Sequence, residues 1–560
     1  MAGTKRKNTE SNPDLECYIG IDVGTQGTKA VLYHPKSQTI KARSSAAYDL
    51  DDNDELDNDG NSKNNTKRAE QQPSKWIEAL HKTLKELSLI INNEGYIVAG
   101  IGVSGQQHGM VALDENYDVI RPAKLWCDVE ASSQAERFSQ KATEIMAKEW
   151  TIPAGFTAPK VLWMKEMEPQ NWDKTRWIVL PHDYINLCLR TGIGHDYTEV
   201  SNSTTNIFKH NLNNVDKSIV PNTDAGDASG TGILDQNTRE YVKELAQIID
   251  EKYFNILPKI LSPNEISGYL SNEWKVALNI DRESKIEIPI SVGSGDNMMS
   301  SLGCKCVFPG NAVLSLGTSG TIFGVSTTPV QTGTPVAAFC DATGKHLPLV
   351  CVMSCTGVLN SVLEHWCSTP NSKMTHEEAS KLAGKIPPGC NGLSFLPYLG
   401  GERTPNWPHA TGALLGITAQ NINCMSGGQP GLVYRAAMEG ITFLLAEALN
   451  QMTCSCSEGG FNPKSIFVVG GGSKNKFWRQ MLADVLELEL LFPLEPESAA
   501  LGAAFQAGAA ATGTSVDIFI SQQTVKMEDT IVKPTNDRKT LNLYKDALNK
   551  YREFSTKLFK

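Results

Sequence analysis

Two short stretches constrain this chain more than anything else in it. "DVGTQGT" (Asp22–Thr28) and "SLGTSGT" (Ser315–Thr321) share the frame Gly-Thr-x-Gly-Thr, and their first glycines lie 293 residues apart. One such turn means little, because Gly and Thr are common in turns. Two, each between apolar strand-forming runs and each near the start of a half, predict duplicated lobes facing each other. A glycine-rich hairpin also suits a bound phosphate, because bare backbone N–H groups can approach an anion closely. In the first copy a carboxylate, Asp22, stands beside a place that should attract negative charge.

At 560 residues the chain is too long for one compact core. Its net charge is −10 and it has no long Lys/Arg block, so a nucleic-acid partner is disfavoured. Lys5-Arg6-Lys7 reads either as a nuclear address or as part of a solvated tail. Thirteen cysteines without a C-x-x-C pair fit reduced thiols and a cytoplasmic location. No segment resembles a signal peptide, and no run of about 18 apolar residues could span a bilayer. No membrane partner is therefore expected.

Residues 1–16 are expected to be a disordered tail. Cys17–Val23 and Lys29–Tyr33 predict a hairpin and Thr39–Ala47 a third strand. Leu50–Gln72 is acidic, Asn-rich and nearly free of apolar residues, which predicts a disordered surface insertion. Pro73 then precedes an amphipathic helix over Trp76–Leu89. A strand over Ile97–Val103 delivers "SGQQHGM" at its end. A second polar break, Asn213–Gly232, reads as another loop insertion. The pattern resets near residue 287, where "IEIPISVGSGDNMMSSLG" is a strand ending at an acid and then a helix, so the lobes are expected over 17–288 and 289–560.

A third glycine cluster, Gly470-Gly471-Gly472, sits between a strand and a helix beginning near Lys474. Such a turn either holds a nucleotide or is simply tight. Neither G-x-G-x-x-G nor a P-loop is present. "SAALGAAFQAGAA" (Ser498–Ala510) predicts a small-residue helix packed closely on a sheet.

"SGQQHGM" (104–110), "GFTAPKVLW" (155–163), "GSGDNMMSSLG" (293–303), "LSLGTSG" (314–320), "FLPYLGGERTP" (395–405), "RAAMEGITFLL" (435–445) and "GGGSKNKFWRQMLAD" (470–484) occur in that order. With the first hairpin they resemble the FGGY carbohydrate kinases, over about residues 17 to 510. The resemblance implies an α/β fold of two RNase H-like lobes, as in the actin/Hsp70/hexokinase superfamily, with an interlobe catalytic cleft. The Gln-Gln-His-Gly run with "GFTAPKVLW" is most similar to members acting on xylulose. It implies ATP-dependent phosphorylation of D-xylulose to D-xylulose 5-phosphate, feeding the pentose phosphate pathway. Ribulose, gluconate, fucose and erythritol kinases are rivals within the family. A non-enzymatic nucleotide-binding protein is the rival outside it, which Asp296-Asn297 together with Gln107-His108 argues against. ATP with Mg²⁺ and a sugar are the expected small-molecule partners, and a homodimer stays open.

Site residues follow by the same resemblance. Asp296 is the catalytic aspartate and general base, although a helix N-cap is its plain structural alternative. Asp22 is a second catalytic group that organises Mg²⁺, whose charge cancels the repulsion between acid and phosphate; a turn-stabilising acid is the alternative. Gly24, Thr25, Gln26, Gly27 and Thr28, with Gly317, Thr318 and Ser319, hold phosphates. Gly471, Gly472 and Asn475 meet adenosine. Gln107, His108, Asp296 and Asn297 meet the sugar, although a lone His is more often structural. In "LWCDVEA" Cys127 replaces the family's Asn and Glu130 its Arg, while Asp128 is kept. "SNSTTN" (Ser201–Asn206) stands where Ser-Asp-Ala-Ala-Gly-Thr is expected. Glu402 and Arg403 read as a structural pair rather than as site residues.

Overall fold

The structure is a computed structural model describing residues 13–51, 68–194, 216–331, 333–368, 373–422, 429–457 and 459–560. It divides into two compact units. One holds the chain to Val307 with Phe339–Lys345 and Glu497–Thr524, and the other holds Phe308–Ala338, His346–Pro496 and Val525–Lys560.

In the first unit, β1 (Glu16–Val23), β2 (Gly27–His34) and β3 (Thr39–Ala47) form an antiparallel meander. Helix α1 (Pro73–Glu94) follows, then β4 (Ile97–Gly105), which lies parallel to β1. Beyond β4 come β5 (Ile266–Tyr269) and β6 (Pro289–Ser291), giving the order β5-β6-β4-β1-β2-β3, with the short β7 (Ser294–Gly295) also on β4. Strand β1 is buried along nearly its whole length because both faces are covered, so it reads as an apolar run rather than an alternation. Helix α1 buries Trp76, Ile77, Leu80, Leu84, Leu87 and Ile91 along one stripe and packs on β2 and β3. Pro73 opens it, and Gly95 in the left-handed conformation ends it.

The second unit repeats the plan. Strands β8 (Asn311–Leu316) and β9 (Gly320–Gly324) form a hairpin, preceding β10 (Ala337–Cys340) and β11 (His346–Val352). Strands β12 (Ser465–Val469) and β13 (Glu489–Leu491) complete the order β10-β11-β9-β8-β12-β13. Central strands β3-β2-β1-β4-β6 and β11-β9-β8-β12-β13 correspond one to one, with parallel pairs at β1/β4 and β8/β12. This is the architecture a duplication produces. The hairpins differ in closure: Val23 pairs with Thr28 in the first, Leu316 with Gly320 in the second.

Several expectations change. The boundary falls after Val307, not at 288, because β7 pairs with β4 (Ser294 opposite Ser104, Gly295 opposite Gly105) and ties Asp296 to the first unit. The small-residue helix α4 (Ser498–Thr512) also belongs there and lies on β1 and β4. Contact is so close that a Cβ on Gly20 would stand 1.8 Å from the Ala500 carbonyl oxygen, and one on Gly102 2.0 Å from that of Ala503.

Most of the expected 50–72 insertion lies outside the described residues. Its end does not fit that reading: Glu70 and Gln71 are buried and paired with Ala123–Lys124. Of the expected tail, residues 1–12 lie outside the described residues, and Glu16 already begins β1. Of the expected 213–232 loop, residues 213–215 lie outside the described residues and Asp216–Val220 is largely exposed, whereas Asn222–Thr231 is buried throughout and is no surface insertion. Among the described residues, no helix is long and apolar enough to cross a membrane.

Candidate active site

Parallel pairing fixes the site's framework. In register, Asp22 on β1 lies opposite Ser104 on β4, and Ser104 lies opposite Ser294 on β7. Three neighbouring strands thus end together and release Asp22, Gln106-Gln107-His108 and Asp296-Asn297 at their carboxyl ends. Open α/β sheets bind ligands there. Ser104 donates its hydroxyl to Asp22 Oδ1 at 2.8 Å.

Asp296 opens the helix α2 (Asp296–Gly303) and is half-buried. Burial pushes the Asp296 carboxyl up to about 8, and the carboxylates of Asp22 and Asp227 push it the same way. Asp22 is also raised by burial, against the opposing pull of Ser104 and Lys29. A carboxylate with proton affinity near neutrality is suited to general-base work.

The Asn297 amide donates to Gln107 Oε1 at 2.7 Å and lies 3.1 Å from Asp296 Oδ1, so three of the four expected sugar residues form one chain. The fourth, His108, stands beside Gln107 with φ +63. Its ring stacks on Phe156 (centroids 4.3 Å apart) and on Phe339 (5.7 Å), and its Nδ1 lies 3.2 Å from the Gly230 carbonyl oxygen. Lys160 is fully buried and donates to the His108 carbonyl at 2.9 Å and to that of Gly155 at 2.7 Å. Burial brings its ammonium down to about 7. The "GFTAPKVLW" stretch is therefore a clamp on His108.

At the first glycine turn, the Gly24 N–H donates to the Gly27 carbonyl. Thr25 donates to Gln106 Oε1 and accepts from the Trp126 indole, both at 3.0 Å. Gln26 is exposed at the tip. Thr28 is fully buried, with its hydroxyl near that of Tyr48, because the strand's alternation turns it inward. Asp128 also faces inward. It accepts from the Ala69 N–H and from Lys124, whose ammonium also meets Glu70 and Glu130. The loop carrying Cys127 and Glu130 is thus held by a buried ion-pair network, and Trp126 braces the hairpin.

In the second unit, pairing of β8 with β12 sets Ser315 opposite Val469, bringing Gly317-Thr318-Ser319 beside Gly470-Gly471-Gly472. A Cβ on Gly470 would meet Leu316 O at 2.7 Å, whereas one on Gly471 would meet nothing within 4 Å. Thr356 and Gly357 donate to the Gly317 and Thr318 carbonyls, fixing the turn. A 3₁₀ turn covers Gly471–Lys474, and helix α3 (Lys476–Leu486) follows. Asn475 caps that helix, accepting from the Trp478 N–H, while its amide donates to Ser380. Glu402 is buried and accepts from the N–H groups of Met353, Ser354, Arg403 and Thr404, a structural role.

Three buried groups beside Asp296 escaped the sequence reading: His182, Asp224 and Asp227. The signal was available. Ser201–Asn206 lies outside the described residues, whereas Gly226-Asp227-Ala228-Ser229-Gly230-Thr231 carries the expected Ser-Asp-Ala-Ala-Gly-Thr frame with two changes.

The chain matches the N-terminal domain of the FGGY family of carbohydrate kinases over residues 17–221 and 218–303 and the family's C-terminal domain over 312–511. It is 33% identical over 501 residues to the xylulose kinase of Haemophilus influenzae, covering 88% of this chain and 90% of that protein. Crystal structures of a ligand-bound xylulose kinase and a gluconate kinase from Lactobacillus acidophilus share the fold. Their TM-scores are 0.79 and 0.80, each at 24% identity over 97% of this chain and 98% of theirs. Near-equal likeness to kinases named for different sugars means the fold does not choose between them. The chain belongs to the FGGY family of carbohydrate kinases.

Proposed function

We propose that this kinase transfers the γ-phosphoryl group of ATP to D-xylulose, forming D-xylulose 5-phosphate and ADP. The observation that carries the reading is the Asp296–Asn297–Gln107 chain at converging strand ends, beside His108. The sugar itself is suggested by the 33% identity to a xylulose kinase.

Asp296 accepts the proton of the hydroxyl under attack as that oxygen bonds to phosphorus and the ADP oxygen leaves. Gln107, His108 and Asn297 orient the sugar so that this hydroxyl faces the phosphoryl group, which converts binding into rate. Near Asp22, the first glycine turn receives the phosphate tail on its backbone N–H groups. In the second unit Gly317, Thr318 and Ser319 offer further N–H groups to the nucleotide, with Gly471 and Gly472 beside them. Asp22 and Asp296 each disfavour the other's charge, and a hard cation relieves such a pair. When bound, Mg²⁺ held by Asp22 supplies neutralisation of phosphate charge. A cytoplasmic setting suits the free thiols of the described cysteines.

The test is ADP release over a panel of D-xylulose, D-ribulose, gluconate, fucose and erythritol. Xylulose should give the highest kcat/KM by at least about tenfold, a margin that unpaired polar groups in a mismatched site readily produce. Preference for another sugar would replace the substrate, and equal background turnover with every sugar would remove the kinase reading.

A further inference from the structure

The chemistry above leaves one group of buried charges unused. His182 lies near the start of the helix Pro181–Thr191, with its ring fully buried. Its Nδ1 is 2.5 Å from Asp227 Oδ2, and its Nε2 is 3.1 Å from Asp183 Oδ1. Asp224 accepts from the Ser294 hydroxyl at 2.8 Å and from the N–H groups of Gly226 and Asp227, each at 2.9 Å.

Each contact reaches a residue just ahead of a proposed site residue. A Cβ on Gly105 would lie 2.8 Å from His182 N, and one on Gly293 2.7 Å from His182 Cδ2. One on Gly295 would lie 3.0 Å from Asp227 Oδ1 and 2.6 Å from Gln107 Cγ. Gly105 leads into Gln106-Gln107-His108, and Gly293-Ser294-Gly295 leads into Asp296-Asn297. Strand β7 has only two residues to hold its register against β4. Burying so many charges is costly unless they are held against one another.

We propose that His182, Asp224 and Asp227 form a positioning cluster for the acceptor side of the reaction, locking the strand end that carries Gln107 and His108 to the one that carries Asp296 and Asn297. The inference rests on the reading of Asp296 as the base. The cluster touches no substrate. It acts through the placement of residues that do, and small misplacements are expensive: about 1 Å can cost 10²-fold. Asp227 Oδ1 has no hydrogen-bond partner among the described residues, which keeps an unpaired acceptor behind Gly295. Burial alone would lower His182, but Asp183 and Asp227 outweigh it and bring the imidazole up to about 9. That raised proton affinity suits the ring to donate to Asp227.

Ser294→Ala removes one hydroxyl from the cluster and leaves its charges in place; His182→Gln keeps a donor for Asp227 and loses the charge. Both are compared with wild type by steady-state kinetics, varying sugar and ATP separately, with thermal unfolding as a control. Expected is a loss of at least about tenfold in kcat/KM for the sugar with ATP KM within about twofold, for Ser294→Ala at an unchanged Tm. His182→Ala should lose more than His182→Gln. Sugar kinetics within about twofold of wild type for Ser294→Ala and a folded His182→Gln overturn the proposal, as does an equal rise of both KM values. Asp296→Asn separates the two readings. Near-normal turnover in that variant removes the base, while the sugar kinetics of Ser294→Ala still decide the cluster.

Discussion

Asn297 and Gln107, 190 positions apart in sequence, are joined by a 2.7 Å hydrogen bond from the Asn297 amide to the Gln107 carbonyl oxygen. Each presents its remaining polar atoms from a different strand end, so losing either one also releases the other. Asn297→Ala and Gln107→Ala should each raise the sugar KM by about tenfold and leave ATP KM nearly unchanged. Bonded neighbours couple by about 0.5–3 kcal/mol in a double-mutant cycle. The double variant should therefore be clearly less impaired than the product of the single effects. Strict additivity would show that the two side chains meet the sugar independently.

Asp296 should matter to turnover more than to binding. Asp296→Asn keeps the shape and the neighbouring Asn297 contact but cannot accept a proton. A positioned general base contributes about 10²–10⁴-fold, so kcat should fall by at least about 10². Calorimetric titration with sugar should still show binding of the same order. A variant that binds no sugar would make Asp296 a ligand first and a base second.

Why the sequence announced some of this and hid the rest follows from how each part is made. The paired glycine turns and the acid at the end of "IPISVGSGD" are local features, so Asp22, Gln107, His108, Asp296 and Asn297 could be found one stretch at a time. Parallel pairing then supplied what no local pattern contains, the placement of Ser104 between Asp22 and Ser294. Polar composition misled at two places. Glu70 lies at the end of an acidic, Asn-rich stretch yet is buried against Arg121 and Lys124, and Asp227 lies in a Gly/Asp-rich run yet is buried against His182. A buried charge carries the same letter as a solvated one, and only its partner, distant in sequence, tells them apart. Thr28 lies inside the first glycine motif, yet strand alternation buries its side chain.

Glycines at the helix–sheet contact give a prediction about stability alone. On Gly102 a Cβ would stand 2.0 Å from a backbone carbonyl oxygen of α4, which no side-chain rotation relieves. Overpacking of this kind costs about 1–3 kcal/mol or more, so Gly102→Ala should lower Tm by several degrees. Gly471→Ala is the contrast, because its Cβ meets nothing within 4 Å. That variant should keep Tm and raise ATP KM through the lost close approach of backbone to nucleotide. An unchanged ATP KM would remove Gly471 from the nucleotide site.

Stability should respond to pH in a direction set by the groups around Asp296. Four buried groups hold protons more tightly folded than unfolded: Asp224 titrates at about 6, Asp183 at about 7, Asp296 at about 8 and His182 at about 9. Burial is the leading cause for the three carboxyls, and the carboxylates beside His182 outweigh it there. Each group's contribution is complete below its unfolded value, near 4 for the acids and 6.5 for His182, and is lost as pH rises through the folded value. Glu70 acts in the opposite sense. Burial would raise it, but Arg121, Arg68 and Lys124 hold it down at about 2, so its contribution is present above about 4.5 and is lost as pH falls through 2. Lys160 opposes the four groups above pH 7, because burial brings it down to about 7 and that penalty is relieved as pH rises further. Tm should therefore be highest in acidic buffer, between about pH 4 and 5, and should decline towards pH 7. Replacing His182 by Gln removes the contribution lost between 6.5 and 9, so the decline across that interval should be shallower in the variant. A Tm that rises from pH 5 to 7 in wild type, or an equal slope between pH 6.5 and 9 in the variant, would mean that these charges are not held as the folded geometry places them.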